Sequence, residues 1–350
     1  MFRKILLYLL AATLLYACEK QPFSVNTRNR EDVTILYGLL NPADTLHYIK
    51  VYKGFLTEGN AYEAAKDLHN YSYIDSIDVY MEEYQGDAYI RTINFDTTTA
   101  IPKDSGTFAY PLQVLYSAPA NLQQDCRYVL YVKNKYSPKI VRSETSIVGS
   151  LFMTRPAITL SKEINILEQQ QLIRFRAANS IYYCEVLMHY HYTESMKDGS
   201  NRHGVVSWKV GGIHGQANPN STIMQELTVS YQGYQFFQKI GSGITDDPEV
   251  RSRHTDSIVI QIYKTGEEMY KYLLASSAST GLNQERLTYT NIYSYASPSD
   301  MAAGKSDGLA LGLFSTSGSD RFTFRDLGTI SRDSLFHGRF TKHLKFTDIY

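Results

Sequence analysis

Alternating apolar runs, a shortage of helical periodicity and an abundance of tyrosine predict an all-β protein. They predict two β-sandwich, immunoglobulin-like domains, with one short helix in the C-terminal domain. From Val33 onward, short period-two or continuously apolar runs are separated by Gly, Asn, Asp and Pro clusters, as in sandwiches and barrels. The chain carries 29 Tyr against one Trp. Tyr suits half-buried strand positions, where its ring packs on the pleat and its hydroxyl stays wet. A length of 350 residues is enough for two cores of ordinary size.

The first segment in chain order is a leader. Arg3 and Lys4 precede an apolar run from Ile5 to Leu15, which is too short to span a bilayer core needing about 20 helical residues. Leu15-Tyr16-Ala17-Cys18 resembles the lipobox of bacterial lipoproteins. Residues 1–17 are therefore expected to leave as a signal peptide, with cleavage between Ala17 and Cys18 and acyl chains such as palmitate on Cys18. More than one chain, at about 0.8 kcal/mol per buried methylene, makes a stable anchor. Residues 18–30, polar and without periodicity, then read as a tether.

The expected N-terminal sandwich covers residues 31–150. Val33 to Leu40 is apolar and stops at Asn41-Pro42-Ala43-Asp44, and His47 to Lys53 alternates, with Ile49 and Val51 on one face. Glu58 to Tyr73 breaks the alternation and suggests a short helix or a surface loop. Ile77, Val79 and Met81 share a face, Tyr89 to Phe95 follows a Gly86-Asp87 turn, and Tyr128, Leu130 and Val132 line a later strand. Gly149-Ser150 and Arg155-Pro156 mark a boundary, because Pro interrupts either regular element.

The second sandwich-like domain is expected over residues 155–350. Its strands are read at Leu172 to Phe175, Ile181 to Tyr192, Val205 to Val210, Met224 to Tyr231 and Ile258 to Tyr263. In the longest, Tyr182, Cys184, Val186, Met188, Tyr190 and Tyr192 share one face, expected to be the core side. Glu267 to Ser276 reads as the one helix, with acids in its first turn and Met269/Leu273 at i,i+4 spacing. Thr288 to Ile292 and Leu309 to Thr316 return to strand, with Tyr295 to Gly308 a polar loop between them.

Charge and motif content remove several function classes. Lys plus Arg equals Asp plus Glu at 35 each, so no overall field favours nucleic acid. Cys126 and Cys184, in separate expected domains, imply no disulfide framework or Cys-rich metal site. Gly304-Lys305-Ser306 matches the end of a phosphate-binding loop, but Ser299 stands where its first Gly belongs. His189 and His191 share a strand face with Glu185, a conceivable ligand set. The rise of ~3.3 Å per residue separates Glu185 from His191 too widely for one ion, so the spacing favours a polar strand face and no metal. Asp246, Asp247 and Glu249, followed by Arg251, Arg253 and His254, could supply paired carboxylates but read more simply as a solvated turn. The sequence offers no catalytic residue, cofactor site or metal site.

Ile35-Leu36-Tyr37-Gly38-Leu39-Leu40-Asn41-Pro42, His47-Tyr48-Ile49-Lys50-Val51 and Phe55-Leu56-Thr57-Glu58-Gly59-Asn60-Ala61 resemble the start of a Bacteroidota lipoprotein family catalogued as a domain of unknown function, number 4249. The helix from Glu267, Thr290-Asn291-Ile292 and Gly308-Leu309-Ala310-Leu311-Gly312-Leu313-Phe314 are similar to that family's C-terminal pattern. The resemblance implies an outer-membrane lipoprotein, lipid-anchored through Cys18, with the cell surface favoured over the periplasmic face. It also implies an accessory role beside a TonB-dependent receptor, and it carries over no catalytic residue. The expectation is a non-enzymatic binding module. The alternatives are an extracytoplasmic hydrolase of glycan or peptide using Asp246, Asp247 or Glu249, and a structural envelope or adhesion protein.

Overall fold

The sequence alternation is realised as seventeen strands in a computed structural model that describes residues 33–348, apart from 56–58, 125, 159–161, 216–222 and 279–288. The expected signal peptide, the tether, the Ala17–Cys18 cleavage point and the lipidated Cys18 lie outside the described residues. Strand accounts for 50% of the described residues and helix for 16%, which places the protein in the all-β class.

The first half contributes β1 (Thr34–Leu40), β2 (Leu46–Lys53), β3 (Ile77–Gln85), β4 (Ala88–Thr98), β5 (Leu115–Pro119), β6 (Arg127–Asn134) and β7 (Ile140–Ser146). The second half adds β8 (Leu151–Arg155), β9 (Glu163–Ile164), β10 (Gln170–Ala177), β11 (Tyr183–Met196), β12 (Asn201–His214) and β13 (Gln225–Gln232). It closes with β14 (Val250–Thr265), β15 (Tyr293–Tyr295), β16 (Ala310–Phe324) and β17 (Asp326–Leu327). Twelve strands form one ladder in the order β12-β11-β14-β16-β1-β2-β5-β4-β3-β6-β7-β15, and β13-β10-β8 form a separate sheet.

Two long strands change partner along their length and so fold this ladder into facing layers. In β4, Ala88 to Phe95 pairs with β3, whereas Asp96 to Thr98 pairs with β5. In β16, Ala310 to Thr316 lies parallel to β1, and Ser317 to Phe324 runs antiparallel to β14. The parallel seam depends on Gly312, whose φ is 120°. A Cβ there would sit 1.8 Å from the Leu36 carbonyl oxygen, so only Gly fits both the backbone and the space.

The layers enclose two hydrophobic clusters. In the first, Leu36, Leu40, Ile49 and Val51 meet Val79, Met81, Leu130 and Val132, and the cluster is completed by Ile292, Ala310 and Phe314 from far along the chain. In the second, Val186, Met188, Ile260 and Ile262 meet Ile173, Phe175, Leu227 and Val229 of the smaller sheet. Consecutive residues divide between them, with Ile147 in the first and Val148 in the second.

Three sequence expectations need correction. Four helices, not one, lie in the second half of the described chain: Tyr234–Gly243, Glu267–Ala278, Pro298–Ala302 and Thr329–His337. The first buries Phe236, Phe237 and Ile240, a helical spacing. The last buries Ser331, whose hydroxyl accepts from Ile166 N at 2.6 Å and donates to Ile166 O at 3.0 Å, so a polar sequence is satisfied inside the fold. Thr290 to Ile292 is not strand, because the Asn291 side chain takes over the ladder: its amide donates to Phe314 O (2.7 Å) and its oxygen accepts from Phe314 N (3.0 Å). Pairing resumes at β15. Finally, Arg251, Arg253 and His254 belong to β14 and not to a solvated turn.

Candidate functional site

An open cleft of about 1030 Å³ is bounded by the ends of β6 and β7 on one side and by β8, residues 178–182 and the start of the Glu267 helix on the other. Each wall follows from local sequence. Phe152, at an outward position of the short β8, is 57% exposed because β8 pairs only with β10. β15 pairs with Ile140 to Arg142 alone, so among the described strands Glu144 to Ser146 have no ladder partner on that side. Tyr182 supplies a second ring, held 5.4 Å from Tyr270.

The polar groups of the cleft are fixed by neighbours. Glu144 accepts from Arg142 (2.6 Å) and from Arg127 (3.2 Å). Ser180 Oγ accepts from Gly149 N at 2.8 Å, Ser150 Oγ donates to Gln124 at 2.8 Å, and Asn179 donates to Ile223 O at 2.8 Å. Behind the wall, the buried Lys264 donates to Gly149 O (2.7 Å) and pairs with Asp320 (2.8 Å). Rings, neutral amides and hydroxyls, and an Arg/Glu pair on a preformed wall suit an extended polar ligand with apolar segments. Cys126 also lines this cleft, while Cys184 is buried elsewhere, and neither forms a disulfide. Burial pushes the Cys184 thiol up to about 12.

A second concavity, about 640 Å³, holds two of the expected carboxylates, Asp246 and Asp247, beside Glu194, Arg202 and His203. The structure ties up Asp247 and Glu194. Asp247 accepts from Glu249 N (2.9 Å) and from Arg202 (2.9 Å), and in that order these partners hold its carboxyl below the usual range. Glu194 is bonded by Arg202 and by Arg253, whose side chain has no exposure. Arg253 also donates to Leu344 O (2.7 Å) and Thr245 O (2.9 Å) and so straps the C-terminal segment to β14. Asp246 and Glu249 are exposed, and Glu249 faces Lys197 at 3.8 Å.

Other sequence candidates come apart. His189 and His191 do share a strand face, with ring centroids 6.5 Å apart. However, His189 Nδ1 is bonded to Ser207 (2.7 Å) and Glu185 is paired with Lys209. Among the described residues no group of three or more His, Cys, Asp or Glu could hold a metal ion. Gly304-Lys305-Ser306 leads from the Pro298 helix toward β16, the reverse of a strand-to-helix phosphate loop. Among the described residues no helix is long and apolar enough to cross a membrane.

One polar constellation escaped sequence reasoning. Thr193, buried on β11, donates its single proton to Asp256 (2.9 and 2.8 Å), so His203 Nδ1, 2.7 Å from the same oxygen, must be the donor. His254 lies 3.4 Å from Asp256 on the same seam. With the Thr proton committed to the carboxylate and His203 donating, the group lacks the nucleophile-to-base order of hydrolytic triads. It pins the bulge at which β11 and β14 shift register between His191 and Tyr192. Only that shift brings Asp256 to this position, and nothing in the sequence marks it.

Compared with known proteins, the chain matches no family profile and no curated protein sequence. The solved structure of Bacteroides uniformis beta-glucuronidase 2 covalently bound to cyclophellitol-6-carboxylate aziridine is similar at 10% identity, over 64% of this chain and 25% of that one, with a TM-score of 0.10. That likeness carries no argument, and the chain spans about a quarter of that enzyme's length.

Proposed function

We propose that this chain is an outer-membrane lipoprotein, processed between Ala17 and Cys18 and held by acyl chains on Cys18. Its body is a non-enzymatic binding module built on two immunoglobulin-like sandwich lobes. It serves a TonB-dependent uptake or surface-assembly system and presents the cleft beside Phe152 and Tyr182 to its ligand. The lipobox and the family resemblance support the anchor and the setting. Two enclosed cores, each between facing layers, support the sandwich reading.

The observation that carries the choice of binding over hydrolysis is the state of the carboxylates. Hydrolysis of a glycan calls for two carboxyl groups about 5–10 Å apart and facing a substrate. Glu144, Glu194 and Asp247 are each held by arginine, Glu249 is exposed and faces Lys197, and Asp246 is left as a lone exposed acid, while the cleft offers rings and neutral hydrogen-bonding groups. The test is recovery of the native protein from gently solubilised outer membranes. A stable complex with a β-barrel receptor is expected, lost when Phe152→Ala and Tyr182→Ala are combined. Repeated recovery of the protein alone, or glycosidase activity abolished by Asp246→Asn, would overturn the reading.

A further inference from the structure

The outward face of β1, β2 and the first half of β16 gathers exposed aliphatic and aromatic side chains with no acid among the outward residues of β1 and β2. On the neighbouring β3 and β4 the outward positions alternate with buried ones and bring acids and an amide among the rings and aliphatics: Asp78, Tyr80, Glu82 and Tyr84 on β3, and Ile90, Thr92, Asn94 and Asp96 on β4. That alternation is normal for an antiparallel sheet with one wet side. On β1 the outward residues are Ile35, Tyr37 and Leu39; on β2 they are Leu46, Tyr48, Lys50 and Tyr52. Leu311 of β16 lies beside Ile35. Tyr37, Leu39, Leu46 and Leu311 are 38%, 47%, 42% and 40% exposed, although the opposite face already buries Leu36, Leu40, Ile49 and Val51.

The face is organised, not a scatter of apolar residues. The Tyr37 ring stacks at 6.4 Å on Tyr52 and meets Tyr272 of the Glu267 helix edge-on at 6.4 Å. Burial, then the Tyr272 hydroxyl, pushes Tyr37 up to about 12. Lys50 lies 5.9 Å over the Tyr52 ring, and burial, then the nearby Lys103, lowers its ammonium. No carboxylate occupies an outward position of β1 or β2.

We propose that this face rests on the bilayer surface, with Tyr37, Leu39, Leu46 and Leu311 in the interfacial layer and Lys50 and Lys103 toward anionic lipid headgroups. Three observations select lipid. Rings with hydroxyl tips, short aliphatics and a cation on one sheet face are the residue types that settle at a membrane–water interface. The charge complementarity is with an anionic surface. The strand that carries the patch begins one residue after Val33, and the fourteen residues 19–32, at most about 50 Å when fully extended, keep it within reach of Cys18. A face that is weakly interfacial alone becomes occupied when the anchor holds it near the surface.

The inference rests on the anchor of the proposed function, and its test separates the two. Leu39→Trp and, independently, Leu311→Trp place a reporter on the patch of a chain with one native Trp, and Tyr136→Trp, at a site 82% exposed, is the control. Each full-length protein is matured in cells, checked by mass for acylation, and reconstituted in phosphatidylethanolamine/phosphatidylglycerol vesicles with or without brominated chains. The expected result is at least a twofold loss of emission at positions 39 and 311 in brominated vesicles, with no change at 136. Acylated protein whose patch reporters are not quenched overturns the inference and leaves the anchor standing. A blue shift that follows protein density without bromine quenching assigns the face to a second copy and also overturns it. Absence of acylation overturns the anchor itself; quenching of the same reporters on that unacylated protein still upholds the face, and its lack refutes it.

Discussion

Arg253 is the fold's most exacting commitment, and Arg253→Met tests it. The guanidinium has no exposure and makes three separate attachments: to Glu194 at 2.9 Å, to Leu344 O at 2.7 Å and to Thr245 O at 2.9 Å. Removing it leaves Glu194, 5% exposed, with only the half-exposed Arg202 as a cationic partner. Breaking a buried pair from one side costs about 3–5 kcal/mol. The two orphaned carbonyls place the expected loss toward the upper end of that range. At ~2 °C per kcal/mol for a chain of this size, the melting midpoint falls by about 6–10 °C. Arg202→Met, on the wet side of the same carboxylate, is expected to destabilise far less than Arg253→Met. The assay is chemical and thermal denaturation of both variants beside the parent. An Arg253→Met protein within about 1 kcal/mol of the parent, or no more destabilised than Arg202→Met, would refute the strap between β14 and the C-terminal segment.

Gly312→Ala should disrupt the parallel β1–β16 seam, because the new Cβ meets Leu36 O at 1.8 Å with φ at 120°; a loss of roughly 3 kcal/mol or failure to accumulate is expected, read by expression and melting. Cys184, pushed up to about 12 by burial, should resist alkylation at pH 8 in the native protein and react only on unfolding. Its raised pKa contributes stability that is complete below the unfolded value of ~8.5 and is lost as pH rises toward about 12, so a Cys184→Ala protein should show a shallower alkaline loss of stability than the parent. Asn291→Ala removes both bonds that replace the ladder at Phe314 and should cost about 2 kcal/mol, measured by urea denaturation.

Much of the strand content was legible because one-sided burial imposes a period of two. Ile49/Val51, Ile77/Val79/Met81 and Cys184 through Tyr190 are buried as their alternation requires. Where side chains replace regular patterns, the signal fails. Asn291 takes the place of a strand, Ser331 of an apolar helix residue, and Arg253 sits in the interior of what reads locally as a charged turn. Their partners are 23, 165 and 59 residues away, and no local pattern contains a distant partner. The candidate site was the least legible. The cleft is made by Phe152, Glu144 and Tyr182, which are unremarkable in sequence and meet only because the end of β7 runs past the short β15 and β8 is an edge strand. Of the conspicuous acids at 246–249, by contrast, Asp247 is occupied with Arg202 and its own turn and Glu249 faces Lys197, while Asp246 is exposed.

The most direct measurement is the intact mass and amino-terminal peptide of the protein isolated from its native membrane. The lipoprotein account predicts a chain that starts at Cys18 and carries acyl groups on the sulfur and the new amino terminus. A bare thiol at that position, or a product that keeps Met1 through Ala17, would contradict it.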